Sequence, residues 1–333
     1  NKIKDLTLLK YALFITFFPQ LIAGPIVRYN NIIPQLIKDK SNKFRNSNFL
    51  IGLFLFILGL SKKVLIADNL APYVDLTFEA NNNGNSIHAF DGLLASLSYS
   101  LQLYFDFSGY CDMAIGLAKM FNINLPLNFN SPYKAFNIID FWRRWHITLT
   151  KFLTEFIFTP LNLKVSRRAL VYNKELVSNN LILYFSLIIT FLVSGIWHGS
   201  NWNFIFWGFL HGIFLSLNFF WINWKKKLGL IWLDKVLVYR FLSRFFTFLC
   251  ITFSFIFFRA ESFQSGYILL SNIFLNFKEI FLIKETIIYH YDDNIKLLFL
   301  FFLSLLLVNF FPNTQQLSYA FAPKMNIYKK EVS

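Results

Sequence analysis

Long apolar blocks alternate with shorter polar connections along the whole chain, and block length decides the element. A membrane-crossing helix needs about 20 mostly apolar residues. Seven stretches approach that length: 11–27, 49–67, 93–118, 181–197, 203–222, 241–258 and 295–311. An eighth, 135–163, is aromatic but interrupted by charge, which predicts a partly immersed or re-entrant segment. Such interruptions are stable only where protein or a water-filled cavity covers the backbone. The expected fold is all-α: a polytopic membrane helix bundle with re-entrant segments, forming one domain over residues 1–333. No Gly/Ser/Pro linker, internal repeat or low-complexity tract divides it. The opening "NKIKDLTLLK" lacks an initiator methionine and the layout of a signal peptide. It reads as a loop leading into a span, so further helices are expected ahead of it.

Composition sharpens this picture. The chain is 56% hydrophobic, against about 45–50% for ordinary domains, and 44 of its residues are phenylalanine. Only 15% of residues are charged, yet the formal net charge is +14. The positive residues flank the apolar blocks, as loop charges of a membrane protein do, with no basic patch of the kind nucleic acid requires. Residues 28–48 carry Arg28, Lys38, Lys40, Lys43 and Arg45 against Asp39, whereas 68–92 carry Asp68, Asp75, Glu79 and Asp91 and no lysine or arginine. Residues 119–180 are basic again, with Lys151, Lys164, Arg167, Arg168 and Lys174 among them. So are 223–244 (Lys225, Lys226, Lys227, Lys235, Arg240, Arg244) and the tail (Lys324, Lys329, Lys330). Basic connections on the cytoplasmic side give an alternating topology. Lys62 and Lys63 disobey it, so that helix ends early or the pair faces protein or headgroups. Cys111 and Cys250 lie in apolar stretches and read as two buried thiols.

Five histidines exist, of which His88 and His290 fall in polar loops and are expected to be solvated. His146, His198 and His211 lie in membrane-associated sequence, where a costly ionisable group is a functional candidate by default. A carbonyl-bound imidazole inside a helix bundle is the plain alternative for each. Metal binding is disfavoured, because His198 and His211 stand thirteen apart with no cysteine near them in sequence. Acid–base chemistry remains, since imidazole can take a proton from a hydroxyl near neutral pH. Arg143 and Arg144 could hold a phosphate or anchor at the membrane face. Asp106 and Ser108 in "FDFSGY" have no histidine beside them and are expected to tie helices together. The chain has no G-x-S-x-G, P-loop or G-x-G-x-x-G.

Several blocks, taken in order, resemble the membrane-bound O-acyltransferase family. They are "FFPQLIAGPIVRYNNIIPQL" (17–36), "LGLSKKVLIADNLA" (58–71), "QLYFDFSGYCDMAIGLAKMFNINLPLNFNSPY" (102–133), "DFWRRWHITLTKFL" (140–153), "SGIWHG" (194–199) and "FSFIFFRAES" (253–262). The branch resembled is the bacterial one that O-acetylates cell-surface polysaccharides such as alginate and peptidoglycan. The resemblance implies a funnelled helix bundle whose narrow passage joins the two membrane faces. It also implies His198 as the catalytic histidine and His146 as the second important one. Arg143 and Arg144 are then candidate cofactor-phosphate contacts, and Trp142, Trp145, Trp197, Trp202 and Asn201 candidate shapers of the passage, with interfacial packing the alternative for the tryptophans. Where relatives often read "WLRDYLYIPLGG", this chain reads "FLTEFIFTPLNL" (152–163), so lining or partner contacts there are expected to differ.

The implied activity is transfer of an acetyl group from a cytoplasmic thioester, acetyl-CoA, across the bacterial inner membrane to a cell-surface polysaccharide, with no metal. A periplasmic or extracellular acetyltransferase or acceptor protein is the implied partner, beside the lipid bilayer. Three rivals are D-alanyl or other acyl transfer to teichoic acid from a carrier protein, a transporter that moves an acetyl carrier without chemistry, and a structural membrane partner of a periplasmic enzyme.

Overall fold

The computed structural model describes residues 7–21, 24–37, 44–171, 179–276, 278, 286 and 293–321. The sequence expectations for Lys38, Asp39, Lys40, Lys43, Lys174, His290, Lys324, Lys329 and Lys330 lie outside these residues, as does most of the N-terminal decapeptide. Among the described residues every regular element is helical: α1 (Leu8–Thr16), α2 (Tyr29–Leu36), α3 (Asn46–Asn82), α4 (Ala89–Met120), α5 (Ile138–Arg144), α6 (147–171), α7 (Asn179–His198), α8 (Trp202–Lys227), α9 (Leu237–Arg259), α10 (Phe263–Leu275), α11 (Asn294–Phe310) and α12 (Thr314–Phe321). Short 3₁₀ turns link some of them, and α3 and α6 each contain one wide π turn, at Lys62–Ala67 and Thr154–Phe158.

Helices α3, α7, α8 and α9 are long and apolar enough to cross a membrane. A fifth span arises if α11 and α12, bent by 63° at their junction, count as one. Their outward residues, such as Leu50, Leu53, Ile57 and Leu60 of α3, are exposed. Apolar exposure on that scale suits lipid and not water.

Helix α4 follows a different logic. At about 48 Å it is long enough to cross, but it carries Asp91, Asp106 and Asp112. It runs through the middle of the bundle, so protein, not lipid, satisfies those carboxylates. Tyr73 Oη–H donates to Asp91 (2.8 Å), Lys63 pairs with Asp106 (2.6 Å) and Lys62 with Asp112 (2.6 Å). Asp106 therefore ties α3 to α4, and Ser108 stands 3.5 Å from the Lys62 ammonium. Two glycine pairs set the α3–α4 spacing. A Cβ on Gly52 would lie 2.5 Å from the Gly116 carbonyl oxygen, and one on Gly59 would lie 2.5 Å from that of Gly109. Close approach through small residues is how helices associate in lipid. The aromatic core packs Tyr99, Tyr104 and Phe105 of α4 with Phe141, Trp142 and Trp145 of α5 and its end, Trp207 of α8 and Phe255 of α9.

Several expectations need correction. The span at 11–27 is absent: α1 stops at Thr16, and Pro19, Gly24 and Pro25 break what hydropathy alone would run together. Residues 28–48 are not all loop, since α2 occupies part of them. Helix α3 does not end near 67 but continues to Asn82 through its π turn, with both lysines facing carboxylates. The 259–294 connection contains α10, started by a reciprocal capping box between Ser262 and Ser265. His88 is not simply solvated: half-buried, it caps α4, its Nδ1 accepting from Phe90 N–H at 3.3 Å. Cys111 and Cys250 are both free thiols, but only Cys111 is buried; Cys250 is half-buried.

Candidate active site

His198 is the last residue of α7, and its position depends on how tightly α7 and α8 pair. A Cβ on Gly195 would lie 2.3 Å from the Phe204 carbonyl oxygen, and one on Gly208 would lie 2.2 Å from that of Phe191. Only glycine permits this contact, and it fixes the hairpin that carries the imidazole. Trp197, Trp207 and Phe258 meet the ring edge-on, at centroid distances of 4.8, 5.2 and 5.0 Å. Among the described residues no hydrogen bond reaches either ring nitrogen of His198. Packing alone holds it among the described residues.

His146 arrives from the other side. It sits at the corner between α5 and α6 with φ = 42°, a left-handed conformation that few non-glycine residues adopt. The extended stretch after α4 clamps this corner: Asn130 N–H donates to the Arg144 carbonyl and Ile147 N–H to the Asn128 carbonyl, each at 2.9 Å. Side-chain contacts finish the job. Asn128 Oδ1 lies 3.1 Å from His146 Nδ1, 3.2 Å from Thr148 N and 2.9 Å from Thr148 Oγ1, while Asn128 Nδ2–H donates to Cys111 Sγ at 3.2 Å. The Phe107 ring stands edge-on to the imidazole at 4.8 Å.

The two histidines line one cavity of about 420 Å³, together with Phe107, Trp197, Gln20 and the Gly24–Val27 turn. A backbone strained at a position that lines a cavity is where function is commonly found. A second, wider cavity of about 740 Å³ shares the Ile26–Val27 wall with the first and is lined by Arg28, Thr148, Lys151 and Glu155. Across it Arg28 Nη1 donates to Glu155 Oε1 at 2.9 Å. This bond holds the Glu155 carboxyl below the usual carboxylate range. Among the described residues no three His, Cys, Asp or Glu side chains gather as a metal site requires.

His211, the third membrane histidine, stays out of the cavity. It is fully buried, accepts at Nδ1 from Trp142 Nε1–H (3.3 Å), and its Nε2 lies 3.0 Å from Ser254 Oγ. Since indole can only donate, the His211 proton is on Nε2 and points to Ser254, whose hydroxyl donates onward to the Ile251 carbonyl (2.7 Å). Both ring nitrogens are engaged, which makes this a helix-to-helix tie.

The other residues singled out by sequence separate into two groups. Trp197 is 61% exposed and lines the histidine cavity. Trp142 and Trp145 do not; they are buried in the aromatic core, Trp142 against Phe191, Trp207 and His211, and Trp145 against Phe129, Phe141 and Phe255. Arg144 pairs with Asp140 (2.8 Å) and donates to the Asn130 carbonyl (3.3 Å), so it braces the α5 corner. Arg143 is exposed, Trp202 is exposed, and Asn201 is the first-turn cap residue of α8, outside the cavity lining. Sequence reasoning passed over Asn128, Arg28, Thr148 and Glu155. The only signal for Asn128 was a polar residue amid the apolar, proline-containing "LPLNF".

Comparison with known proteins identifies the family. Residues 1–260 match the model of the membrane-bound O-acyltransferase family. The peptidoglycan O-acetyltransferase of Helicobacter pylori is 49% identical over 259 residues, 78% of this chain and 45% of that protein. The probable alginate O-acetylase AlgI of Pseudomonas aeruginosa is 36% identical over 257 residues, 77% of this chain and 44% of that protein. The teichoic acid D-alanyltransferase of Bacillus subtilis is 30% identical over 228 residues, 67% of this chain and 55% of that protein. The chain spans about half the length of these relatives. With a family model covering most of its length and two motif histidines meeting in one cavity between its helices, the chain belongs to the membrane-bound O-acyltransferase family.

Proposed function

We propose that this chain forms the catalytic core of an O-acetyltransferase of the bacterial cytoplasmic membrane. It takes an acetyl group from a cytoplasmic thioester, acetyl-CoA, for O-acetylation of a cell-surface polysaccharide. The observation that carries this reading is the shared cavity of His146 and His198. Peptidoglycan is the favoured class of acceptor, because identity to the peptidoglycan enzyme is 49% against 30% to the D-alanyltransferase. A periplasmic protein that accepts or relays the acetyl group fits the same scheme.

In this mechanism His198 takes the proton of the acceptor hydroxyl as its oxygen attacks the thioester carbonyl. The tetrahedral adduct then collapses, the C–S bond breaks, and the imidazolium returns its proton to the leaving thiolate. General-base assistance contributes about 10²–10⁴-fold. His146 binds one of the two reacting groups. The wider cavity, with Lys151 and the Glu155-paired Arg28 on its wall, suits the anionic donor better than the exposed Arg143 or Arg144, which braces the α5 corner, does.

The test is reconstitution of the full chain in liposomes with acetyl-CoA labelled in the acetyl group. Free CoA and labelled acceptor should appear, and His198→Gln should stop both without loss of folded protein. Movement of intact acetyl carrier with no thioester cleavage would mean a transporter. Turnover only with an alanyl-charged carrier protein would mean D-alanyl transfer.

A further inference from the structure

We infer that Asn128 sets the tautomer of His146, leaving His146 Nε2 as a hydrogen-bond acceptor toward the cavity, so that His146 holds the acceptor hydroxyl and not the thioester carbonyl. The inference rests on the acyl-transfer reading for its chemistry, but its structural half stands alone.

Thr148 N–H is a backbone donor and lies 3.2 Å from the Asn128 side-chain oxygen. Turning the amide over would put an NH₂ against that N–H, so the oxygen must face Thr148 and His146. Thr148 Oγ1 already accepts from Ile26 N–H (3.0 Å), which leaves its own proton for the same amide oxygen (2.9 Å). An amide oxygen cannot donate. His146 Nδ1, 3.1 Å from it, must therefore carry the proton. In the neutral ring the other nitrogen then bears only a lone pair.

That second nitrogen has no partner among the described residues, and the ring lines the cavity. Phe107 against the ring face and the left-handed corner at His146 leave little freedom to rotate away. A lone pair repels the oxygen of a thioester carbonyl and attracts the hydrogen of an alcohol. His146 and His198 thus both face the acceptor hydroxyl. His146 is a positioning acceptor that orients it, and His198, whose ring is hydrogen-bonded by none of the described residues, is the base that deprotonates it. When His146 is protonated it can only donate, and the hydroxyl loses its anchor.

The primary experiment reads the tautomer without requiring turnover. The full chain, labelled with ¹⁵N-histidine and held in lipid nanodiscs, is examined by nitrogen NMR at neutral pH. His146 is assigned by its loss in His146→Asn, where asparagine tolerates the left-handed corner and can still donate to Asn128. A protonated Nδ1 and a bare Nε2 are expected; a bare Nδ1 would overturn the inference. Asn128→Ala should give mixed tautomers and cost about 10- to 100-fold in kcat/KM for the acceptor, the size of one lost orienting hydrogen bond. The KM for acetyl-CoA should hold. A rise in donor KM with unchanged acceptor kinetics would overturn it instead. Asn128→Asp keeps the acceptor and hence the tautomer, and remains informative should Asn128→Ala not fold. Its carboxylate also favours the imidazolium, so the acid limb of its rate profile should move to higher pH; an unmoved limb counts against the inference. A correct tautomer in a protein that never cleaves acetyl-CoA would sink the reaction proposed above and leave this structural assignment intact.

Discussion

The Lys62–Asp112 pair makes a quantitative prediction. Lys62 Nζ lies 2.6 Å from Asp112 Oδ2 and 5.8 Å from the centre of the Tyr104 ring, while Gln315 Nε2–H donates to Asp112 Oδ1 at 2.8 Å. The two charged side chains are 17% and 7% exposed, so little water is available to either. Lys62→Met keeps the apolar stem and removes the ammonium, leaving the carboxylate with Gln315 alone. Breaking a buried pair in this way costs about 3–5 kcal/mol. Asp112→Asn should cost somewhat less, because a cation over a tyrosine face retains about 0.5–2 kcal/mol of attraction. The double variant retains the Gln315 bond and has no orphaned charge, so it should return to within about 1–2 kcal/mol of wild type. Unfolding by SDS titration in mixed micelles, followed by far-ultraviolet circular dichroism, measures all four corners of the cycle. Salt should change little, because a covered pair is weakly screened. A Lys62→Met midpoint equal to wild type, or strictly additive single effects, would refute the claim that the bundle interior couples these charges.

Two other outcomes follow from the site. His211→Ala should destabilise the bundle by about 2–4 kcal/mol, since it leaves a cavity and strips partners from Trp142 and Ser254. Turnover per folded molecule should persist, the reverse of His198→Gln, and comparing specific activity with unfolding midpoints separates the two. The Arg28–Glu155 tie depends on pH in a fixed direction: because Arg28 lowers the Glu155 pKa, the tie is present above the ordinary carboxylate range and is lost as pH falls through the depressed value. Donor KM should therefore fall toward acid pH, as Glu155 loses its charge and frees Arg28 for the anionic donor, and Glu155→Gln should show the acid-like KM already at neutral pH.

Legibility in the sequence varied with the physics of each element. Helices facing lipid must be apolar over a crossing length, so α3, α7, α8, α9 and α11 stood out as blocks, their ends off by a few residues except for the polar half of α3. Helix α4 was found despite its aspartates, whose partners on α3 no local pattern could supply. The error at 11–27 came from letting hydropathy outweigh Pro19, Gly24 and Pro25. At the site, His146 and His198 were nameable from motifs, but their meeting depends on a left-handed corner and on glycine contacts that no local pattern reveals. The resemblance made Trp142 and Trp145 candidate passage walls, yet α5 and its end turn them into the core. Asn128 acts through four contacts, to residues as distant as Cys111 and Thr148, and so left almost no local trace.

The π turn in α3 has a consequence for how this chain can vary. Ahead of it, the Gly52–Gly116 and Gly59–Gly109 contacts lock the helix to α4; within it Lys63 reaches Asp106, and beyond it Tyr73 reaches Asp91 on the same neighbour. Each residue added to or taken from a helix rotates everything downstream by about 100° and shifts it by about 1.5 Å. A helix latched to one partner at both ends has no slack to absorb such a phase error. Between Gly59 and Tyr73 the identity of many side chains is therefore negotiable, whereas their number is not.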